Sequence, residues 1–173
     1  MWWLVSLRQF SAALLLTMLL ATSLSGCGYR LRGTVVLPDA VKYTYIDSSD
    51  PYGAFETQLA DTLRANGATV ADERDDQVSL FTIASVEFKQ RELSVDVQKS
   101  TKELELRFVV NFSVSDNLGT KLLASQSVTI LRVLTIDEAA VFASAAEVRI
   151  MEEEMRREAV QQILRRLHAR RKG

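Results

Sequence analysis

Leu104-Glu105-Leu106-Arg107-Phe108-Val109-Val110-Asn111-Phe112-Ser113-Val114 is the stretch on which the fold turns. Leu104, Leu106, Phe108, Val110, Phe112 and Val114 alternate with Glu105, Arg107, Asn111 and Ser113. A period of two puts the apolar set on one face of a strand and the polar set on the other. Asp116-Asn117-Leu118-Gly119 then supplies a tight turn, with a glycine where φ must be positive. Leu122 to Val133 returns as the second arm of a hairpin. Upstream, Val78, Leu80, Ala84, Val86 and Phe88 alternate with Ser79, Ser85 and Glu87, while Phe81 and Ile83 add apolar surface to the second face. Between these strands, Gln90 to Lys102 mixes Arg91, Lys99 and Lys102 with Val95 and Val97. It reads as a long hairpin tip projecting beyond the packed part of the sheet.

Helical periodicity flanks this β region on both sides. Val41 to Ile46, aromatic and β-branched, reads as a short strand, broken by Asp47-Ser48-Ser49-Asp50-Pro51. Asp50 can cap a helix, and Pro51 fits the first helical position, where a missing N–H costs nothing. Gly53 weakens that first turn, and a helix beginning a few residues later is the alternative. Phe55, Leu59 and Leu63 then recur at i, i+4 and i+8, and Asn66-Gly67 closes the helix, predicted over 52–66. Downstream, Val148, Met151, Met155, Ala159, Ile163 and Leu167 form a second apolar stripe, widened by Val160 and Leu164. Glutamates early and arginines late in that segment suit the helix dipole. The order is β-α-β-β-β-α. Two helices with one apolar face each, and a sheet with one good apolar face, imply a two-layer α+β sandwich with both helices on one side.

The N-terminus carries a different signal. Ser11 to Leu24 is apolar, follows Arg8, and is short of the roughly 20 residues a bilayer span needs. It reads as a secretory signal. Leu24-Ser25-Gly26-Cys27 closes it with small residues directly before the only cysteine in the chain. That arrangement resembles a lipoprotein lipobox, which implies cleavage before Cys27, diacylglycerol on its thiol and an acyl chain on the new amine. A signal anchor with a chance cysteine is the alternative. Two acyl signals already hold a protein stably at a membrane. Gly28 after the cysteine implies, by the sorting rule of such lipoproteins, export to the outer membrane. Residues 1–26 are then a signal peptide, 27–40 an extended lead-in from the lipid, and 41–173 a single domain.

Composition narrows the function. Without residues 1–26 the chain has 20 basic and 22 acidic side chains, a net charge of −2. This balance argues against a nucleic-acid binder. The basic tail of Arg165, Arg166, His168, Arg170, Arg171 and Lys172 reads as dipole complementation and solvation, with lipid phosphates as the alternative partner. Glu152 to Glu154 reads as a solvated helix face, with an acidic ligand site as its alternative. The only histidine, His168, lies in that charged tail, where a general base is neither sheltered nor oriented. Cys27 is blocked by lipid. The glycines are scattered, so no phosphate loop forms, and metal sites built of His and Cys are excluded by count. Asp72, Glu73, Asp75 and Asp76 could hold a hard cation, but their spacing fits no calcium loop, and a polar connection accounts for them. No catalytic site and no cofactor beyond the lipid is expected.

The order of motifs carries a resemblance. Lipobox, Cys27-Gly28-Tyr29-Arg30-Leu31-Arg32, strand, Ile46-Asp47-Ser48-Ser49-Asp50-Pro51-Tyr52-Gly53, helix, Asn66-Gly67, three strands and a closing helix are similar to the LptE family of lipopolysaccharide (LPS)-assembly lipoproteins. The resemblance spans the whole mature chain. It implies a mixed, mostly antiparallel four-stranded sheet with two helices on one face. It also implies a seat inside the lumen of the outer-membrane barrel LptD, as a plug and folding aid that contacts LPS. The family credits basic residues near the sheet tip with that contact, which here points to Lys99 and Lys102, with solvated hairpin lysines as the alternative reading. Val97 and Ser144 stand where the family carries two such residues, and nothing from Asp137 to Val148 is basic.

Overall fold

The strand read from Leu104 to Val114 is the centre of the hydrogen-bonded sheet. The structure is a computed structural model, describing residues 37–96, 101–137 and 141–170. After a single 3-10 turn at Asp39–Val41, the elements are β1 (Tyr43–Ser48), α1 (Ala54–Ala65), β2 (Thr69–Val70), β3 (Ser79–Asp96), β4 (Thr101–Ser115), β5 (Lys121–Asp137) and α2 (Val141–Arg170). The sheet order is β2-β1-β3-β4-β5. Strand β1 runs parallel to β2 and β3, and β3-β4-β5 is an antiparallel meander. The expected α+β class and the single helical layer hold; the strand count does not. Thr69–Val70 is a fifth strand, two residues long, pairing with Tyr43 and Thr44. So short a segment has no periodicity of its own, and its β geometry comes from the neighbouring strand.

The core face of β4 is the predicted one: Leu104, Leu106, Phe108, Val110, Phe112 and Val114 are all buried. Its β5 partners on that face include Val128, Ile130, Leu134 and Ile136, while Leu131 and Val133 face away and are 52% and 60% exposed. In β3 the expected facing is corrected. Phe81 and Ile83, read as second-face residues, are core, and Leu80 is only half-buried. A bulge between Ile83 and Ser85 adds one residue, so Val86 and Phe88 rejoin the core face beyond it. A bulge bends the strand and shifts which residues share a face.

Both helices cover this face. Phe55, Leu59 and Leu63 of α1 and Met155, Ala159, Val160, Ile163, Leu164 and Leu167 of α2 join β4 in one apolar cluster. The Phe55 and Phe108 rings lie 6.1 Å apart, tilted by 44°. At the sheet edge, Arg132 of β5 pairs with Glu158 of α2. Arg166 Nη1 donates to Gln126 Oε1 at 2.7 Å and to the Ser127 carbonyl at 2.8 Å.

Helix α1 ends as its sequence predicts. Gly67 takes φ of 86°, and the Ala68 N–H reaches back to the Leu63 carbonyl at 3.0 Å, satisfying a terminal acceptor. Its start is corrected. The N-cap is Gly53, not Asp50, and Asp50-Pro51-Tyr52 form the preceding turn, closed by Gly53 N–H to Asp50 O at 3.0 Å. The carboxylate of Glu56 folds back over that turn, accepting from Ser48 Oγ at 2.7 Å. A Cβ on residue 53 would collide with Glu56 Oε2 and lie 2.9 Å from Asp50 Oδ2. Those two atoms are movable side-chain ends, while the Asp50 carbonyl would lie 3.1 Å away, a tight fit for any larger residue, and the helix begins at Ala54.

The expected hairpin tip is present, its two arms paired from Gln90 with Leu106 out to Asp96 with Thr101. Only residues 97–100 separate the two strands, and they lie outside the described residues, as does the leader of residues 1–26.

Candidate lipid-contact site

Two basic residues, Lys99 and Lys102, are the expected contact residues. Of these, Lys102 is described. Lys99 and Val97 lie outside the described residues, as does Cys27, so the structure does not test the lipid attachment. Lys102 pairs with Val95 and Ile136 and shares its face with Leu104 and Leu106, the face on which the helices pack. Its side chain is 28% exposed, and Nζ stands 3.7 Å from Glu92 Oε2.

That placement puts Lys102 on the rim of a cleft between the sheet tip and the first turns of α2. The cleft measures about 970 Å³. On the sheet side it is lined by Phe88, Gln90, Lys102, Leu104 and Ile136; on the helix side by Ser144, Ala145, Val148, Arg149 and Glu152. Leu104, Ile136 and Val148 are buried, giving an apolar floor. Ser144 is itself buried on the helix wall. Lys102 and Ser144, distant in sequence, thus face one space.

Sequence reading missed Arg149. It lies on the exposed side of the helix, next to the buried Val148. The acids one turn ahead are engaged elsewhere, Glu152 with Arg156 at 3.2 Å and Glu153 with Arg157 at 3.5 Å. Among the described residues, no carboxylate pairs with Arg149. The small residues Ser144, Ala145 and Ala146 were the available signal, since they leave room between a helix and its sheet. The Glu152 to Glu154 run behaves as the solvated face expected of it, two of its members making i,i+4 pairs.

Among the described residues, no helix covers the opposite face of the sheet, which carries charged side chains. Glu87 and Lys89 meet at 2.6 Å, and Arg91 reaches Glu105 at 3.3 Å, with Arg107 on the same face. The hydrogen bond from Lys89, and then its charge, hold the Glu87 carboxyl below its ordinary range, with Arg107 adding to the effect. Beside this charged patch lie the exposed Leu131 and Val133.

The remaining acidic group is structural. Asp75 Oδ1 accepts from Gln77 N–H at 2.7 Å and Val78 N–H at 3.0 Å, closing the turn into β3, and Tyr43 donates to Asp75 Oδ2 at 3.4 Å. Among the described residues, no group of three His, Cys, Asp or Glu is placed to hold a metal, and no helix is long and apolar enough to cross a membrane.

Comparison with known proteins gives concordant results. The family model LptE, described as lipopolysaccharide-assembly, matches residues 41–167. The chain is 31% identical to the LPS-assembly lipoprotein LptE of Pectobacterium atrosepticum, over 92% of this chain and 85% of that protein. Among solved structures it is similar to lipoprotein B of Nitrosomonas europaea, with TM-score 0.63 and 27% identity over 80% of this chain and 88% of that one. A minor lipoprotein of Acinetobacter baumannii shares the fold at TM-score 0.62 and 23% identity, over 76% of this chain and 93% of that one.

Proposed function

Because the chain belongs to the LptE family of lipopolysaccharide-assembly lipoproteins, we propose that it plugs an LPS-translocating barrel of the LptD type, assists the assembly of that barrel and takes part in inserting LPS into the outer leaflet. Acyl chains on Cys27 tether it to the outer membrane from the periplasmic side, and the domain projects into the lumen. The role is non-enzymatic, and neither nucleic acid nor metal is a partner.

The bare, charged sheet face carries this reading. A barrel lumen is polar and water-filled, so a plug must present polar groups where a self-contained domain could present any surface. Glu87, Lys89, Arg91, Glu105 and Arg107 do so while largely neutralising one another. They form a face that is hydrated but exerts little net field. The tip cations Lys99 and Lys102 are the candidates for contact with lipid A phosphates.

Detergent extraction tests the partner. Tagged chain, purified from extracted outer membranes, is expected to carry a large barrel of LptD type in near-equal amount. Recovery with another barrel-assembly or envelope-sensing complex instead, free of that barrel, would replace this function with that of an accessory lipoprotein.

A further inference from the structure

We infer that the free edge of β5 takes an added strand, an extended and uncharged segment of the barrel protein drawn from outside the barrel wall. The inference rests on the plug reading and deepens it, naming the surface and the kind of chain that meets it.

The sheet has two long open edges, and they are built differently. Strand β1 stops at Ser48, opposite Ile83, so from Ser85 outward β3 has β4 as its one neighbour among the described residues. That edge carries Glu87, Lys89, Arg91 and Glu92, with register shifts at Ile83/Ser85 and at Glu92/Ser94. Charges and bulges are the devices that keep a sheet edge from pairing. Strand β5 ends the sheet on the other side and is not protected in this way. From Gln126 to Asp137 it pairs with β4 residue for residue, with no shift, glycine or proline. Between Gln126 and Ile136 its one charged residue is Arg132, which is turned to the helix side and paired with Glu158.

Two side chains mark which backbone groups point outward. Arg132 Nη1 donates to the Leu131 carbonyl at 2.9 Å, and Arg166 Nη1 to the Ser127 carbonyl at 2.8 Å. In an antiparallel pair, successive residues turn their backbone groups to opposite sides, so the odd-numbered residues point away from β4. Ser127, Thr129, Leu131, Val133 and Thr135 are all exposed, and none is charged. A regular, uncharged edge roughly 30 Å long is a template for strand addition.

What lies over the edge selects the occupant. Helix α2 follows β5, with Arg166 at Ser127 and Glu158 at Arg132, and it packs more on β5 than on β4. A second copy docked edge to edge would bring its own α2 into the same space, whereas a lone strand brings no such layer. One strand's ladder is also a small contact beside the roughly 1,200–2,000 Å² of a stable interface. It forms where other contacts already hold the donor close and raise its effective concentration. A plug inside its barrel meets that condition. The wall strands of a closed barrel are hydrogen-bonded on both sides, so the donor is a loop or a terminal segment. Aliphatic or β-branched residues of that segment suit the positions beside Leu131 and Val133.

Photo-crosslinking of the full-length chain, extracted in non-ionic detergent together with its barrel, tests this. A benzophenone side chain introduced in place of Thr129 or Thr135 is expected to bond to one contiguous, non-wall segment of the barrel protein. Val133→Pro removes an outward N–H and sets a ring in the path of the added strand, while the even-numbered residues keep their ladder with β4. It is expected to lower the crosslink yield about tenfold, with the unfolding midpoint of the purified chain unchanged. Leu131→Glu charges the edge and leaves its backbone intact, and it is expected to lower the yield as well. Val133→Thr is expected to keep the yield. Wild-type yield in both Val133→Pro and Leu131→Glu would overturn the added strand and leave the plug function standing. Crosslinks to a second copy would overturn the choice of occupant, as would crosslinks scattered over the wall strands. Failure of the chain to bring down a barrel at all would remove the plug reading itself, and the added strand with it.

Discussion

Replacing Phe108 by alanine is expected to lower the unfolding free energy by about 3–5 kcal/mol, the range found for large aromatic residues truncated in cores. Phe108 is 2% exposed at the middle of the central strand, between Leu106 and Val110, and its ring meets Phe55 of α1. It is therefore one of the side chains through which the sheet meets the first helix. Removing it leaves a cavity that β4, hydrogen-bonded on both sides to β3 and β5, cannot easily close. Domains of this size have about 5–15 kcal/mol to lose, so the variant should unfold at markedly lower denaturant concentration. Urea titration followed by circular dichroism measures it. A loss below about 1 kcal/mol would mean that the α1–sheet contact is not the packing described.

Cys27→Ser is expected to have the largest effect in the cell. Serine lacks the thiolate that would accept the diacylglycerol, so neither lipid step can follow, and the protein should vanish from the outer-membrane fraction. Because two or more acyl chains make anchoring effectively stable, the change should be nearly complete rather than graded. Intact-mass measurement and membrane fractionation of both proteins check it. A wild-type protein with an unmodified thiol and its leader attached, or a variant still in the outer membrane, would contradict the proposed anchor.

Much of the architecture could be read locally because local forces set it. The alternation from Leu104 to Val114, the Asn66-Gly67 helix stop and the stripe from Met155 to Leu167 each bury one face whatever their neighbours do. What escaped was set by neighbours. Thr69–Val70 is a strand only because β1 offers it a partner. Gln90 to Asp96, read as part of a long hairpin tip, is such a tip, held as strand by antiparallel pairing with β4. Phe81 and Ile83 appeared to face outward because a bulge that no pattern announces shifts the later residues. The candidate site divides the same way. Lys102 was legible as a cation near a tip. Arg149 was not, because its meaning depends on how α2 crosses the sheet and opens the cleft between them.

The central claim is that this domain serves passage of LPS to the cell surface. Depleting the chain from growing cells and labelling surface-accessible LPS addresses it most directly. The account predicts that newly made LPS disappears from the outer leaflet and accumulates on the inner side of the envelope, and that re-expression restores the surface signal. An undiminished supply of new LPS at the surface of fully depleted cells would contradict it.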